Sequence, residues 1–185
     1  MSLPVILVAG FGPFFDVVDN PAAAVARGVD GATIAGVRVI GRVMPVSYIR
    51  APRMTFDWID ALNPIGVVGV GVASKRTWIT VETVGQNVAD PLLADVDGQK
   101  RSQLEEDGPA IRRMTAPPGV LAAALGGVVG EDAGRYVCNA WTYSVGVVQD
   151  PNQWTSFIHI PPRGLAPHVL LSALSAVIHG GRDLA

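Results

Sequence analysis

The run Val5-Ile6-Leu7-Val8, closed by Ala9-Gly10, is continuously apolar, which is how a strand buried on both faces reads; it predicts a central parallel strand. Asn20-Pro21 supplies an N-cap and an N1 proline for an Ala-rich helix through Arg27, with Gly28 or Gly31 as its stop. The strand-helix unit then repeats. Val37 to Val43 predicts a second strand, and Tyr48 to Leu62, with Phe56, Ile59 and Leu62 at helical spacing, a second helix ended by Asn63-Pro64. Ile65 to Val72 predicts a third buried strand whose glycines indicate close packing or a bend, and Trp78 to Glu82 a fourth. Residues 88–117 show no periodicity and carry Asp90-Pro91, Asp97-Gly98, Asp107-Gly108-Pro109 and Pro117-Pro118, so they read as a functional cover or a small hairpin. Helices are expected from Gly119 to Val129, after Asn139 and from Pro167 to Ile178, with a strand at Trp154 to Ile160. Such alternation predicts an α/β fold: a three-layer α/β/α sandwich around a largely parallel, mixed central sheet, in a single domain over residues 1–185.

Composition narrows the partners. Hydrophobic residues make up 49% of the 185 and charged residues 16%, enough apolar material for a core. Fourteen Lys and Arg against 16 Asp and Glu leave a net charge of -2, with no basic field for a phosphate backbone, so nucleic acid is not an expected partner. The long charge-free stretches, 116–130 and 165–180, are broken by prolines, glycines and histidines, and no membrane span is expected. The start, Met1-Ser2-Leu3-Pro4-Val5, lacks a basic segment followed by a long apolar one, and the single cysteine cannot form an internal disulfide; a cytoplasmic location is expected.

The chemistry-bearing positions are few. Gly10-Phe11-Gly12-Pro13-Phe14-Phe15 opens like a dinucleotide fingerprint, but Phe15 stands where the third glycine belongs and no acid ends the second strand. The alternatives are a tight turn with two packed rings, or an aromatic lining for a small apolar ligand. Cys138 lies where the strand-like residues Tyr136-Val137 give way to a helical stretch. A thiol at a helix N-terminus meets the positive end of the macrodipole and free N–H groups, which lower its pKa and can hold an oxyanion; a lone buried cysteine is otherwise a small hydrophobe. His159 ends an apolar strand, as a core histidine bonded to carbonyls or as a base. Glu82 is a carboxylate inside a strand-forming run, which alternation could also turn outward. Cysteine, histidine and carboxylate, each near an element boundary, form a nucleophile, base and orienter set. One Cys and scattered His show no metal-ligand spacing, so no metal is expected.

These residues resemble the pyroglutamyl peptidase I, or pyrrolidone-carboxylate peptidase, family of cysteine peptidases. The resemblance runs nearly end to end and is carried by Gly10-Phe11-Gly12-Pro13-Phe14 with Asn20-Pro21, Pro45-Val46-Ser47-Tyr48, Ile79-Thr80-Val81-Glu82 with Asn87 and Asp90, Asp107-Gly108-Pro109, the block from Asp132 to Asn139, and Phe157-Ile158-His159-Ile160-Pro161. It implies removal of an N-terminal pyroglutamyl residue from peptides with no metal or cofactor, and a homotetramer. It makes Cys138 the nucleophile, His159 the general base and acid, and Glu82 the carboxylate that orients the imidazole. Phe11 and Phe14 match rings that sandwich the pyrrolidone, and Val46, Val72, Leu93, Tyr136 and Val137 match other pocket positions. Three features depart from the family. Val72 replaces a Gln of bacterial members, Leu92 replaces an Arg, and Phe15-Asp16 replaces a Gly-Gly pair; Asp95 keeps an acidic position with no assigned role.

Three hypotheses follow: a pyroglutamyl peptidase acting through a thioester acyl-enzyme, a related cysteine hydrolase shifted to another amide, and a non-catalytic α/β binding module with Cys138 merely buried.

Overall fold

The computed structural model describes residues 3–15, 17–148 and 150–180; Asp16, one of the departures above, lies outside them. The described chain runs β1 (Val5–Phe11), α1 (Pro21–Val29), β2 (Thr33–Ile34), β3 (Val37–Met44), α2 (Arg50–Leu62), β4 (Gly66–Val72), β5 (Thr80–Glu82), β6 (Val84–Gln86), β7 (Ile111–Arg113), α3 (Pro118–Leu125), β8 (Val128–Gly130), α4 (Val137–Val145), β9 (Trp154–Ile160) and α5 (Pro167–Gly180). A seven-stranded sheet has the order β2-β3-β1-β4-β9-β5-β8. Its central pairs, β1 with β3 and β4, and β4 with β9, are parallel, while β5 runs antiparallel to β9. The sheet is therefore mixed and largely parallel, with helices on both faces, the expected α/β/α sandwich.

Alternation along the strands divides the core in two. Ile6 and Val8 of β1, Val68 and Val70 of β4, and Ile158 and Ile160 of β9 pack with residues of α1, α3 and α5. Leu7, Ala9 and Phe11, Val67 and Phe157 point the other way, against Ala51 of α2 and Val137, Ala140, Trp141 and Val145 of α4. The indole of Trp141 is fully buried and still satisfied, its Nε1 donating to Thr55 Oγ1 of α2 at 2.9 Å.

Several elements differ from the sequence-based expectation. Helix α1 runs through Gly28 to Val29, and the left-handed residue is Gly31 (φ 79) beyond it. Helix α2 begins at Arg50 rather than Tyr48; Ser47 Oγ accepts the Arg50 N–H at 3.0 Å across the turn that leads into it. The expected helix to Val129 stops at Leu125, where Gly126 takes a left-handed φ of 61, and the β-branched Val128-Val129 form β8 beside β5. Strand β2 was not expected; it turns into β3 through Ala35 (φ 48) and Gly36 (φ 78), both left-handed as a type I′ hairpin turn requires. The aperiodic region is bracketed by a small two-stranded sheet, Val84–Gln86 against Ile111–Arg113.

Asn20 ties α1 to the aromatic segment before it. Its Oδ1 accepts the Ala22 N–H at 2.9 Å as the N-cap, and its Nδ2 donates to the Gly12 carbonyl at 2.8 Å, with the residue only 4% exposed. Asn20→Ala should lower stability by about 1–3 kcal/mol in urea titration, since it removes the cap and leaves a buried carbonyl unpaired.

Candidate active site

The site forms at the carboxyl edge of the parallel strands, where β1, β4 and β9 end in Phe11, Val72 and Ile160. A cavity of about 540 Å³ opens there, lined by Phe11, Phe14, Phe15, Val17, Val46, Val72, Arg76, Tyr136, Cys138 and His159 among others. A groove of about 710 Å³ lies against α1 and residues 163–166; it holds none of the three candidate catalytic side chains.

Cys138 is the second residue of α4, not the end of a strand: Val137 already begins the helix. No side chain caps that helix, so its first-turn N–H groups stay available for a ligand. Asn139, fully buried, pins this turn; its Oδ1 accepts the Gln86 N–H at 2.8 Å, and its Nδ2 donates to the carbonyls of Gln86 and Val88 at 2.9 and 2.8 Å. The sulfur sits over β4 at Gly71, where an added Cβ would stand 2.8 Å from Sγ. Gly71 pairs with His159 in the parallel β4–β9 ladder, so the imidazole rises from the sheet on the same face that α4 covers with its thiol. Although Cys138 keeps some surface open to the cavity, its thiol is enclosed. Burial pushes the thiol up, to about 12, and the Glu82 charge adds to the rise; its own backbone N–H opposes both. This rise runs against the lowering expected of the helix terminus.

Glu82 is turned inward, with no exposed surface. Its Oε1 accepts from His159 Nδ1 at 2.9 Å and from Arg76 Nη1, and its Oε2 accepts the Asp132 N–H at 3.1 Å. Gly130, its partner in β8, leaves room: a Cβ there would come within 2.7 Å of Oε2. Burial alone pushes the Glu82 carboxyl up, but the hydrogen bonds from His159 and Arg76 outweigh it and hold the group below the usual carboxylate value. An ionised carboxylate can only accept, so His159 carries a proton on Nδ1. Phe157 meets the imidazole edge-on, with centroids 5.0 Å apart.

The cavity brings together Phe11, Phe14, Val46, Val72 and Tyr136 with Cys138 and His159. Glu82 stands behind His159. Leu93, 43% exposed, and Leu92, 80% exposed, lie outside the lining. Val137 is fully buried and points into the core under α4. The 88–110 segment does not line the cavity but buttresses it. Tyr136 Oη donates to the Ala94 carbonyl at 2.9 Å, and Asp95 accepts the N–H groups of Tyr48, Asp97 and Gln99 at 2.8, 2.9 and 2.8 Å, which gives that acid a structural role.

The pyroglutamyl peptidase family model matches residues 5–172. The chain belongs to that family. It is 36% identical over 174 residues to a pyrrolidone-carboxylate peptidase of Enterobacter sp. (strain 638), covering 88% of this chain and 81% of that one. To the protein of the same name from Chromobacterium violaceum it is 35% identical, covering 84% and 77%. Among solved structures, the pyrrolidone carboxyl peptidase of Thermococcus litoralis superposes with a TM-score of 0.84 at 24% identity, covering 98% of this chain and 94% of that one; this likeness concerns the fold. A peptidase family implies peptide substrates, and no helix among the described residues is long and apolar enough to cross a membrane.

Sequence reasoning missed Arg76. It bridges Glu82 and the Asp132 carbonyl, 2.8 Å from Nη2, and lines the cavity. An arginine between Lys75 and Thr77 carries no pattern that separates it from a surface cation. Because the folded Glu82 pKa is lowered, its contribution to stability is present above the unfolded carboxyl value and lost as pH falls through the folded one. Arg76→Met should raise the folded value, so the acid loss begins at higher pH. Urea midpoints from neutral pH down to roughly pH 3 will detect it, and superimposable acid limbs would contradict the assignment.

Proposed function

We propose that this protein is a cysteine omega-peptidase that removes N-terminal pyroglutamyl residues from peptides, with Cys138 as nucleophile, His159 as base and acid, and Glu82 as the orienter of the imidazole. The observation that carries the reading is the buried Glu82–His159 pair facing the cavity that also holds Cys138, with apolar walls at Phe11 and Phe14. A five-membered lactam is flat and neutral, and suits ring faces more than a charged clamp. Val72, Val46 and Tyr136 complete those walls.

In the acylation step the Cys138 proton passes to His159 Nε2 as Sγ bonds to the carbonyl carbon. The oxyanion is placed at the first-turn N–H groups of α4. The carbon–nitrogen bond then breaks, and the leaving amine takes the proton from His159. Water attacks the thioester with His159 again accepting a proton, and free pyroglutamate leaves as the thiol is restored. Each proton and electron pair is accounted for by the chain and water, so the scheme calls for no metal or cofactor. We read residues 1–185 as one catalytic domain, in the homotetramer the family resemblance implies and in the cytoplasm, where a lone thiol stays reduced.

Hydrolysis of a pyroglutamyl anilide should be abolished by Cys138→Ala and lowered at least about a hundredfold by His159→Gln. Glu82→Gln should cost roughly tenfold to a thousandfold, less than loss of the nucleophile. A prolyl anilide should be a poor substrate, because its ring nitrogen is cationic and the ring walls give it no acceptor. Cleavage of other N-blocked amides in place of the pyroglutamyl one would favour a hydrolase with shifted specificity.

Resting protonation is separately measurable. With the thiol pushed up, alkylation of Cys138 by iodoacetamide should be slow at neutral pH and climb through the alkaline range. A plateau reached near neutral pH would mean that an imidazolium partner already holds a thiolate.

A further inference from the structure

Phe15 breaks two local rules at the lip of the cavity. It lies between Phe14 and Val17, whose backbones pair in both directions, Phe14 N to Val17 O at 3.2 Å and Val17 N to Phe14 O at 2.9 Å. The first loop position of such a tight hairpin demands a left-handed backbone, and Phe15 supplies it with φ 44. Glycine, asparagine or aspartate adopts that conformation readily; a bulky aromatic residue does so as an outlier. The same residue leaves 66% of its surface exposed, although a phenyl ring in water is unfavourable. A strained backbone and an exposed ring at one residue beside the cavity point to a functional position.

The ring is nevertheless held. It stacks on Tyr136, with centroids 6.2 Å apart and planes 21° apart, and meets Phe14 edge-on at 5.8 Å. Tyr136 is itself fixed by its hydroxyl bond to Ala94 and by an edge-on contact with Tyr48. The cavity is thus graded: Phe11 and Val46, 2% and 4% exposed, close its inner end, while Phe15 and Val17 give an apolar outer end open to solvent. A lactam seated at the inner end with its carbonyl at Cys138 directs the next residue of the peptide outward, past Phe15.

We propose that Phe15, supported by Tyr136, is a specificity platform for the side chain of the residue that follows the pyroglutamyl group, selecting peptides with an aromatic or large apolar residue there. This rests on the pyroglutamyl reading of the site and names the substrate class within it. The leaving residue lays its side chain on the exposed phenyl face, shedding water from both surfaces. The left-handed turn presents that ring at the mouth.

The test compares kcat/KM for pyroglutamyl-phenylalanine amide and pyroglutamyl-glycine amide. Wild type should prefer the first by on the order of tenfold, as one aromatic contact implies. Phe15→Gly, which accepts the left-handed turn, should bring the ratio towards one, mainly through a higher KM for the phenylalanine substrate. Phe15→Asn, which also tolerates that backbone but has no ring, should do the same. Equal efficiencies in wild type, or an unchanged ratio in both variants, overturns the proposal. A changed sedimentation coefficient with an unchanged ratio overturns it too, and assigns the ring to a contact between copies of this chain. If wild type cleaves other amides but neither pyroglutamyl substrate, the parent reading falls and this one with it.

Discussion

A carboxylate with no exposed surface, Glu82, is the constraint around which the site is built. An uncompensated charge in that position costs several kcal/mol, so the fold must deliver donors to both oxygens. It does so from three separate stretches of chain: His159 on β9, Arg76 in the β4–β5 connection, and the backbone N–H of Asp132 after β8. Each donor fixes a piece of the site in return. The bond from Nδ1 sets the tautomer and tilt of the imidazole, Arg76 draws its loop to the rim of the cavity, and Asp132 anchors the segment that leads into α4. The antiparallel β5 belongs to the same solution. Its pairing sets Thr80 beside His159 and Glu82 beside Phe157, so the carboxylate approaches the ring from a deeper layer of the sheet.

Cys138 is placed by close packing rather than by polar bonds. Helix α4 can bring Cys138 over β4 only because Gly71 has no side chain there, and Gly69 below it makes the same allowance for Trp141 and Phe157. The glycines in the third strand's sequence therefore correspond to a close approach, which is one of the two meanings that pattern carries. Asn139 fixes the rotation of the helix by bonding its amide to the backbone of Gln86, at the end of β6, and of Val88 just beyond it, next to Cys138. Position along the helix and distance from the sheet are thus set by different residues.

The sheet was legible in the sequence because its central strands are apolar on both faces; the span expected for β9 matches the observed one from Trp154 to Ile160. Short elements whose identity depends on partners were not. Val128-Val129 reads as the end of a helix until Gly126 turns left-handed and β5 offers an edge, and β2, β6 and β7 are too short for any period to register. At the site, residue types announced Cys138, His159 and Glu82, but not which way Glu82 faced, since alternation allows either. Leu93 and Val137 illustrate the opposite error of position: matching a motif does not fix where a side chain points, and here one is half-exposed and the other is core. The thiol's upward shift was equally out of reach, because the sequence gives the helix terminus that lowers it but not the enclosure that raises it.

That shift bears on how the pocket handles charge. A thiolate–imidazolium pair would place two formal charges beside apolar walls made by Phe11, Phe14 and Val46. In the proposed reaction, a thiol that keeps its proton adds no charge of its own to the cavity before substrate arrives, and the Glu82 charge is matched by Arg76. A neutral ring can then enter without displacing tightly held water from ions, and charge develops only as Sγ attacks, opposite N–H groups already in place. Glu82 gains its importance at that moment. Its Oε1 is already hydrogen-bonded to His159 Nδ1, so in the proposed reaction a positive charge forming on His159 is met by a partner that needs no reorganisation. In the proposed mechanism the interaction that holds the resting site together is therefore the same one that stabilises the charge separation of the reaction.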